Sequence, residues 1–373
     1  MISADSPYRP CRLCPRRCGA GRPVPPPGEK SALPPGTGYC GESAALRLAC
    51  ASIHRGEEPP LTGGARGGGS GTIFVSGCNL GCGFCQNWQI STGFSSPNRQ
   101  KCALQISTGS SVNGQKCAWQ KRARHGSIGR PVSTEEFVRI CLALQSRGAE
   151  NINIVTGSHA VPALAGGIAA ARAGISGPAA EGPDRLRIPV LWNSSAYELP
   201  ETLDLLSDTV DVFLPDMKTL DGDIAGRYCS APDYPAAAKE AVLKMMALRS
   251  LGFEKAPEGP ARMVSGVMIR HLVLPGHTEA TRTVLRWFAD HCAGRALLSL
   301  MFQYTPLGTG PQGTVTETEA ERVLGWLEEF GIDEGYCQEP VPGNTGWLPD
   351  FERTNPFPSE LSVPVWHWRE GFV

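Results

Sequence analysis

The chain contains 373 residues and has a formal net charge of −1, with 41% hydrophobic and 19% charged residues. This length fits two or three domains, or one α/β barrel with additions. The chain has no apolar run long enough to cross a membrane and no apolar segment near Met1 that would direct export. These features exclude a membrane protein, a coiled coil, a collagen and a disordered chain, and favour a cytoplasmic enzyme.

Three segments differ in pattern along the chain. Residues 1–70 are rich in cysteine and broken by proline and glycine, which predicts an irregular segment. In residues 71–340, short apolar runs alternate with helical patterns, which indicates βαβ units and a parallel sheet. Residues 341–373 form an aromatic, proline-rich tail that we expect to be irregular. The predicted strands are 72–75, 151–155, 187–192, 210–214, 266–274 and 296–302, and the predicted helices are 161–173, 199–206, 235–251, 279–291 and 316–330.

Six strands alternating with helices predict an α/β fold, a partial (β/α)6 barrel of the TIM type. Barrels of this type place their chemistry at the C-terminal ends of the strands. One stretch interrupts the rhythm, because QISTG at Gln89 recurs at Gln105 and QKCA is repeated nearby. We therefore expect an inserted loop at 93–128. It could be disordered, act as a lid, or hold a metal through Cys102 and Cys117.

Charge is distributed unevenly along the sequence. Residues 59–134 contain eight basic residues and neither aspartate nor glutamate. A positive segment of this kind favours an anionic ligand or cluster, although a solvated basic loop would look the same. Nucleic acid is not expected as a partner, since no aromatic residues interleave with the basic ones to stack bases.

The 14 cysteines are the unusual feature of the composition. Without an export signal they are expected to be thiols or metal ligands rather than disulfides. Cys78, Cys82 and Cys85 follow the first predicted strand with the spacing C-x3-C-x2-C, so their thiolates can converge on one centre. Structural zinc takes four ligands, whereas an iron–sulfur cube held by three cysteines leaves one iron open. The alternative is that the three are unrelated core or zinc-binding cysteines.

This loop resembles the signature of the radical S-adenosylmethionine (SAM) superfamily, including the aromatic Phe84 before the last cysteine. The resemblance extends from about Cys11 to Glu339 and is closest to the pyruvate formate-lyase activating enzyme-like subgroup. The phrases that carry it are CNLGCGFCQNW, GRPVSTEEF, NINIVTGSHAVP, RIPVLWNSSAYE, VDVFLPDMK, RYCSAPDYP, IRHLVLPGH and SLMFQYTP.

The resemblance implies a 4Fe–4S cluster on Cys78, Cys82 and Cys85, with SAM bound to the open iron. Reduction would cleave SAM to a 5′-deoxyadenosyl radical, which abstracts hydrogen from the substrate. The implied partners are an electron donor such as flavodoxin or ferredoxin and an unknown protein or small-molecule substrate, for example a glycyl-radical enzyme to be activated. RNA modification by the same radical is the alternative hypothesis, and a non-enzymatic metal-binding scaffold is a third.

Contacts to SAM are also implied by the resemblance. Members of the family often carry a Gly-Gly-Glu-like turn after the second strand that holds the SAM amino group. The corresponding turn here lacks the glutamate, so Thr156, Ser158 or His159 would take its place.

Three further polar residues follow predicted strands. Asn193 ends the third strand, and Asp216 and Lys218 follow the fourth, where activating enzymes carry similar residues. The resemblance implies a SAM contact for each, whereas strand-end capping or an ion pair is the alternative. His271 lies within an apolar strand, and we expect it to be a core histidine.

A second cysteine group precedes the barrel. Cys11, Cys14, Cys18 and Cys40 supply four thiolates, which suits either zinc or a second iron–sulfur cluster. Unligated thiols are the alternative. Three later cysteines are too isolated in the sequence to indicate an auxiliary cluster: Cys229, Cys292 and Cys337.

Overall fold

The computed structural model describes residues 8, 10–22, 38–64, 67–91, 128–174, 184–255, 259–338 and 348–373. The predicted insert at 93–128 lies outside the described residues, apart from Ile128. The strands in chain order are β1 (Arg47–His54), β2 (Ser70–Val75), β3 (Arg130–Pro131), β4 (Ile152–Val155), β5 (Val190–Ser194), β6 (Val212–Pro215), β7 (Gly252–Glu254), β8 (Arg262–Leu272), β9 (Leu297–Met301), β10 (Gly335–Cys337), β11 (Ser362–His367) and β12 (Gly371–Phe372).

The helices cover the outer face of the sheet. They are α1 (Pro59–Thr62), α2 (Thr134–Ser146), α3 (Val161–Ala173), α4 (Pro200–Leu203), α5 (Gly222–Cys229), α6 (Tyr234–Leu248), α7 (Thr278–His291) and α8 (Glu317–Glu329). Side chains cap several N-termini: Ser133 accepts from the Glu136 N–H, and Thr316 and Glu319 form a capping box. Within the described residues, no helix is both long and apolar enough to cross a lipid bilayer.

The strands form one mixed sheet in the order β10-β9-β8-β6-β5-β4-β2-β1-β11-β12. All neighbours from β2 to β10 pair in parallel, whereas β1, β11 and β12 extend the sheet in antiparallel pairing. Because a parallel sheet is covered on both faces, its strands are mainly apolar: β4 and β6 are buried at every position, and Asn153 is the one polar residue in them. The predicted α/β fold, a partial TIM-type barrel that does not close, is confirmed.

The two ends of the chain contain strands that the sequence did not predict. β1 lies within the segment expected to be irregular and pairs with β2, and β11 from the tail pairs with β1. A proline within a strand usually argues against central pairing. Pro364 is accommodated because the register of β11 shifts where it faces Ser52. The division into segments 1–70, 71–340 and 341–373 stays a prediction, but its outer segments are not wholly irregular.

The main core lies between the sheet and its helices. Large side chains with almost no exposed surface fill it, including Phe137 of α2, Trp192 of β5 and Phe213 of β6. His271 of β8 lies in this core, as expected, with 2% of its surface exposed. Its Nδ1 lies 2.7 Å from the Met217 carbonyl oxygen and its Nε2 lies 2.9 Å from Thr281 Oγ1. A carbonyl only accepts, so Nδ1 carries the hydrogen, and burial lowers the pKa of the ring enough to keep it neutral near pH 7.

We expect His271 to make the fold sensitive to acid. Burial lowers the pKa of His271 to about 4, from a value near 6.5 in the unfolded chain. Between these values the unfolded chain binds a proton that the folded chain does not, so stability is lost as the pH falls. The His271→Asn variant should lose about 2 kcal/mol less stability than wild type between pH 6.5 and 4.5. Urea unfolding at several pH values measures this difference, and parallel curves for the two proteins would contradict it.

Candidate functional site

The three clustered cysteines lie on the loop that follows β2, at the C-terminal edge of the parallel sheet. Cys78, Cys82 and Cys85 all line one cavity of about 510 Å³, a volume typical of ligand sites. Burial raises the pKa of Cys78 and raises that of Cys85 to about 11. The negative charges of Cys82 and Cys85 would raise the pKa of Cys78 further, so the three sulfurs are close enough to interact. A metal centre binding here would therefore displace protons from these thiols.

The C-terminal end of α5 holds this loop in place through backbone hydrogen bonds. The Gly81 N–H donates to the Cys229 carbonyl over 3.1 Å, and the Gly83 N–H donates to the Tyr228 carbonyl over 2.7 Å. A Cβ atom at Gly83 would lie 2.4 Å from Thr309 Oγ1, so only glycine allows this approach. The spacing of the three sulfurs is thus fixed by packing as well as by the sequence between them.

Cys229 is a residue that the sequence interpretation missed. It is 1% exposed, and its thiol hydrogen bonds to that of Cys82. The sequence showed it as isolated because 147 positions separate it from Cys82, and no local pattern indicates that α5 ends against the loop. The structure therefore places a fourth sulfur beside the three that line the cavity.

The polar residues predicted at the strand ends converge on the same cavity. Thr156 follows β4, Asn193 lies in β5, and Asp216 and Lys218 follow β6, and all four line it. Lys218 Nζ lies 2.6 Å from Asp216 Oδ2, with both side chains at least three-quarters buried. Proximity of the Asp216 carboxylate outweighs burial and raises the pKa of Lys218, so Lys218 is positively charged.

Thr156 has a conformation that branched residues rarely adopt. Its φ is +65°, in the left-handed region, and its N–H donates to the Asn193 carbonyl over 2.9 Å. Strained backbone of this kind clusters at ligand sites, where the surrounding structure holds it. The geometry thus distinguishes Thr156 from the other two candidates for this turn.

Ser158 and His159 do not line the cavity. Ser158 is buried and donates to Glu198 Oε1 over 2.9 Å, and its partner also accepts from Trp192 and Ser194. Glu198 therefore ties the end of β5 to the turn after β4. His159 is 4% exposed, its carbonyl accepts from Arg22, and its Nε2 lies 3.1 Å from where a Cβ atom of Gly77 would be, so its ring packs behind a residue that lines the cavity.

Tyr234, at the start of α6, fixes the loop after β6. Its hydroxyl accepts from the Lys218 N–H over 2.9 Å and donates to the Asp216 carbonyl, 2.6 Å away. This ring is fully buried, so the hydroxyl is held rigidly. It was not predicted, because its partners become neighbours only in the folded chain.

The wall formed by β8 and β9 carries a buried charge network that was also not predicted. Arg270 of β8 pairs with Glu57 and Glu58, which follow β1. Burial would raise the pKa of Glu58, but the adjacent guanidinium outweighs burial and lowers it. All three residues line the cavity, together with Ser299 of β9. The cavity thus has sulfurs on one wall and this network on another.

The described residues contain no group of three or more histidine, cysteine, aspartate or glutamate side chains arranged to hold a single metal ion as they stand. This applies to both cysteine groups. A second metal at Cys11, Cys14, Cys18 and Cys40 is therefore not shown, although the structure brings these residues together.

The fold and the cysteine loop define a radical SAM protein, and the chain belongs to this superfamily, which it matches over residues 72–288. Membership implies a 4Fe–4S cluster and SAM as cofactors, and the resemblance predicted from the cysteine loop is confirmed. Among curated proteins, the chain is similar to the uncharacterized protein MJ0674 of Methanocaldococcus jannaschii. The two are 26% identical over 289 residues, which is 75% of this chain and 67% of the relative.

Two solved structures are also similar to the chain. One is a domain of pyruvate-formate lyase-activating enzyme from Bacteroides vulgatus, with 12% identity, a TM-score of 0.31, and coverage of 41% of this chain and 82% of that one. The other is Streptococcus suis SuiB bound to S-adenosylmethionine, with 10% identity and a TM-score of 0.39. That match covers 70% of this chain but only 48% of SuiB, so the chain spans about half of that protein.

Proposed function

We propose that this chain is a radical SAM enzyme whose 4Fe–4S cluster is held by Cys78, Cys82 and Cys85. The observation that carries the proposal is the shared cavity: these three thiols line it together with the polar ends of β4, β5 and β6. The donor set fits the group, because thiolates are the ligands of iron–sulfur clusters. Three of them leave one iron available to SAM, while Cys229 is occupied as a hydrogen-bond partner of Cys82.

Residues at the strand ends would bind and orient SAM beside the sulfurs. Thr156 offers a hydroxyl, Asn193 an amide and Asp216 a carboxylate, which together can accept from an ammonium group and donate to a carboxylate. Lys218 balances the charge of Asp216 and lies close enough to Cys82 for their charges to interact. When bound, the two cofactors supply one-electron cleavage of SAM and hydrogen abstraction. The chain supplies orientation and exclusion of water.

The substrate would lie against the wall formed by β8 and β9. Arg270, Glu57 and Glu58 line the cavity there, and Gln303 after β9 lines it as well. We infer an unknown protein or small molecule as substrate, activation of a glycyl-radical enzyme being one form of this activity. An external one-electron donor such as flavodoxin or ferredoxin would reduce the cluster.

Anaerobic reconstitution with iron and sulfide, followed by reduction with dithionite in the presence of SAM, tests the proposal. We expect visible absorption of a 4Fe–4S cluster and formation of 5′-deoxyadenosine, detected by chromatography. A protein that binds iron and sulfide but cleaves no SAM would favour the scaffold hypothesis. Adding fractions of cell extract and looking for a fraction that increases turnover would then lead to the substrate.

Two variants of Thr156 distinguish the effect of its hydroxyl on SAM binding from the effect of its backbone conformation on stability. Thr156→Gly relieves the left-handed strain and is expected to raise stability by about 1 kcal/mol, whereas Thr156→Ala keeps the strain. Both remove the hydroxyl, so both should weaken SAM binding to the reconstituted protein. Urea unfolding and SAM titration measure the two effects. Equal SAM affinity in wild type and both variants would exclude Thr156 as a SAM contact.

A further inference from the structure

The four N-terminal cysteines lie together in the folded chain. A Cβ atom at Gly38 would lie 3.3 Å from Cys18 Sγ and 3.5 Å from Cys40 Sγ, so both sulfurs lie beside this glycine. The thiols of Cys11 and Cys18 are hydrogen bonded to each other. Cys14 is close enough to Cys18 and Cys40 for their charges to interact. Four sulfurs from two separate stretches of chain thus share one small region.

Backbone N–H groups lie close to these four sulfurs. The N–H groups of Leu13, Arg16, Ala20 and Glu42, each two residues after a cysteine, favour the thiolate form of that cysteine. The proposed cluster ligand Cys78 has the same feature, with the Leu80 N–H 3.4 Å from its sulfur. Such donors stabilise a thiolate and tune a bound metal centre.

A buried arginine next to the group has carbonyls, the Cys11 sulfur and the Tyr8 ring as its partners. Arg22 is 1% exposed and forms no ion pair with a carboxylate among the described residues. Its guanidinium donates to the carbonyls of Ser43 and His159 and to the Cys11 sulfur, 3.9 Å away. An unpaired buried cation is costly, whereas thiolates held by a metal would compensate it permanently.

From these three observations we propose that Cys11, Cys14, Cys18 and Cys40 bind a second metal centre through four thiolates, either one zinc ion or one iron–sulfur cluster. Three of the cysteines are buried and only Cys18 is exposed. The Cys18 sulfur already lies beside the others, so binding would cover an exposed thiol without moving it far. This proposal does not depend on the cluster at Cys78, Cys82 and Cys85.

The position of this second centre gives it a role in holding the cluster loop. Arg16 Nε donates to the Asn79 carbonyl over 3.0 Å, and Asn79 is the residue after Cys78. On the other side, the Cys40 carbonyl oxygen lies 3.1 Å from where a Cβ atom of Gly77 would be. A metal that fixes Cys14 and Cys40 therefore also fixes the backbone on both sides of Cys78.

Metal analysis of a chain that lacks the first cluster tests the proposal. The variant with Cys78, Cys82 and Cys85 all changed to alanine is expressed anaerobically with zinc and iron in the medium. We expect about one zinc, or about four irons with about four sulfides, per chain. Zinc analysis distinguishes the first result from the second, which also shows visible absorption. Adding Cys14→Ser and Cys40→Ser should remove the metal, whereas adding Cys292→Ser, at a buried cysteine far along the chain, should not.

Alkylation of the intact wild-type protein provides a readout that no folding defect can confuse. The metal-bound protein should be protected from iodoacetamide at Cys18. Removal of the metal with EDTA, or oxidation of a cluster followed by reduction of the released thiols with dithiothreitol, should make Cys18 reactive, as measured by mass spectrometry. A folded triple variant without metal would overturn the proposal. So would metal that survives the Cys14 and Cys40 changes, or a Cys18 that is alkylated equally before and after metal removal.

Discussion

Replacing Cys82 by alanine is expected to abolish cluster binding and SAM cleavage together. Changing a residue that only orients a metal ligand costs 10–100-fold, so loss of a direct ligand should reduce 5′-deoxyadenosine formation by more than about 100-fold. The remaining two thiols cannot hold a cube at three corners. Visible absorption, iron and sulfide content and product chromatography after anaerobic reconstitution measure the effect. Iron bound at the second centre is measured in the variant with Cys78, Cys82 and Cys85 all changed to alanine and is subtracted.

Cys229→Ala is the matched control, because it removes a sulfur that touches Cys82 from the same buried environment. We expect this variant to bind the cluster and to cleave SAM, with a changed reduction potential because the cluster loses a neighbouring hydrogen bond. If it lost the cluster as completely as Cys82→Ala, Cys229 would be a fourth ligand. No iron would then be open to SAM, and the proposed function would fail.

The fold was predictable from the sequence because each parallel strand is a short apolar run that can be recognised from its own residues, and these runs are regularly spaced. Helix α3 was predicted at its exact limits, and each of the six predicted strands overlaps an observed one. β1 and β11 could not be predicted in the same way. β11 pairs with β1 across more than 300 residues, and Pro364 conceals it in the local pattern. β1 also pairs with the nearby β2, but the proline- and glycine-rich stretches around it predicted an irregular segment. Distant pairing leaves no periodic signal within either segment.

The candidate site was predictable to the extent that its residues follow strands. Functional residues of such sheets lie at the C-terminal ends of the strands. This is where the structure places the cysteine loop, Asn193, Asp216 and Lys218. The turn after β4 was ambiguous because sequence alone does not show which way consecutive side chains point. Thr156 lines the cavity, whereas Ser158 and His159 do not, and its role as a SAM contact stays a prediction. The contact of Cys229 with Cys82 and the ion pairs of Arg270 join segments that are distant in the sequence. No local motif predicts such contacts.

Arg270→Met is expected to be the most destabilising change at the cavity. Nε of Arg270 lies 2.9 Å from Glu58 Oε1, and the guanidinium also pairs with Glu57. The three side chains are only 9%, 10% and 13% exposed for Arg270, Glu58 and Glu57. Removing the cation leaves two buried carboxylates side by side, which should cost about 3–5 kcal/mol of unfolding free energy. Urea denaturation at pH 7.5 measures this loss.

The pH dependence of the loss, together with two further variants, shows whether the unpaired carboxylates cause the instability of Arg270→Met. Without the guanidinium, burial should raise the pKa of Glu58 above its unfolded value, so protonation relieves the variant as the pH falls. In wild type the pKa of Glu58 is lowered, so the stability that ionised Glu58 contributes is lost as the pH falls. The difference in unfolding free energy between wild type and Arg270→Met should therefore become smaller toward pH 5. Glu58→Gln in the Arg270→Met chain should recover part of the stability, whereas Arg187→Met, at an exposed pair, should have no measurable effect. A gap independent of pH would instead indicate that Arg270 acts through packing of its apolar stem.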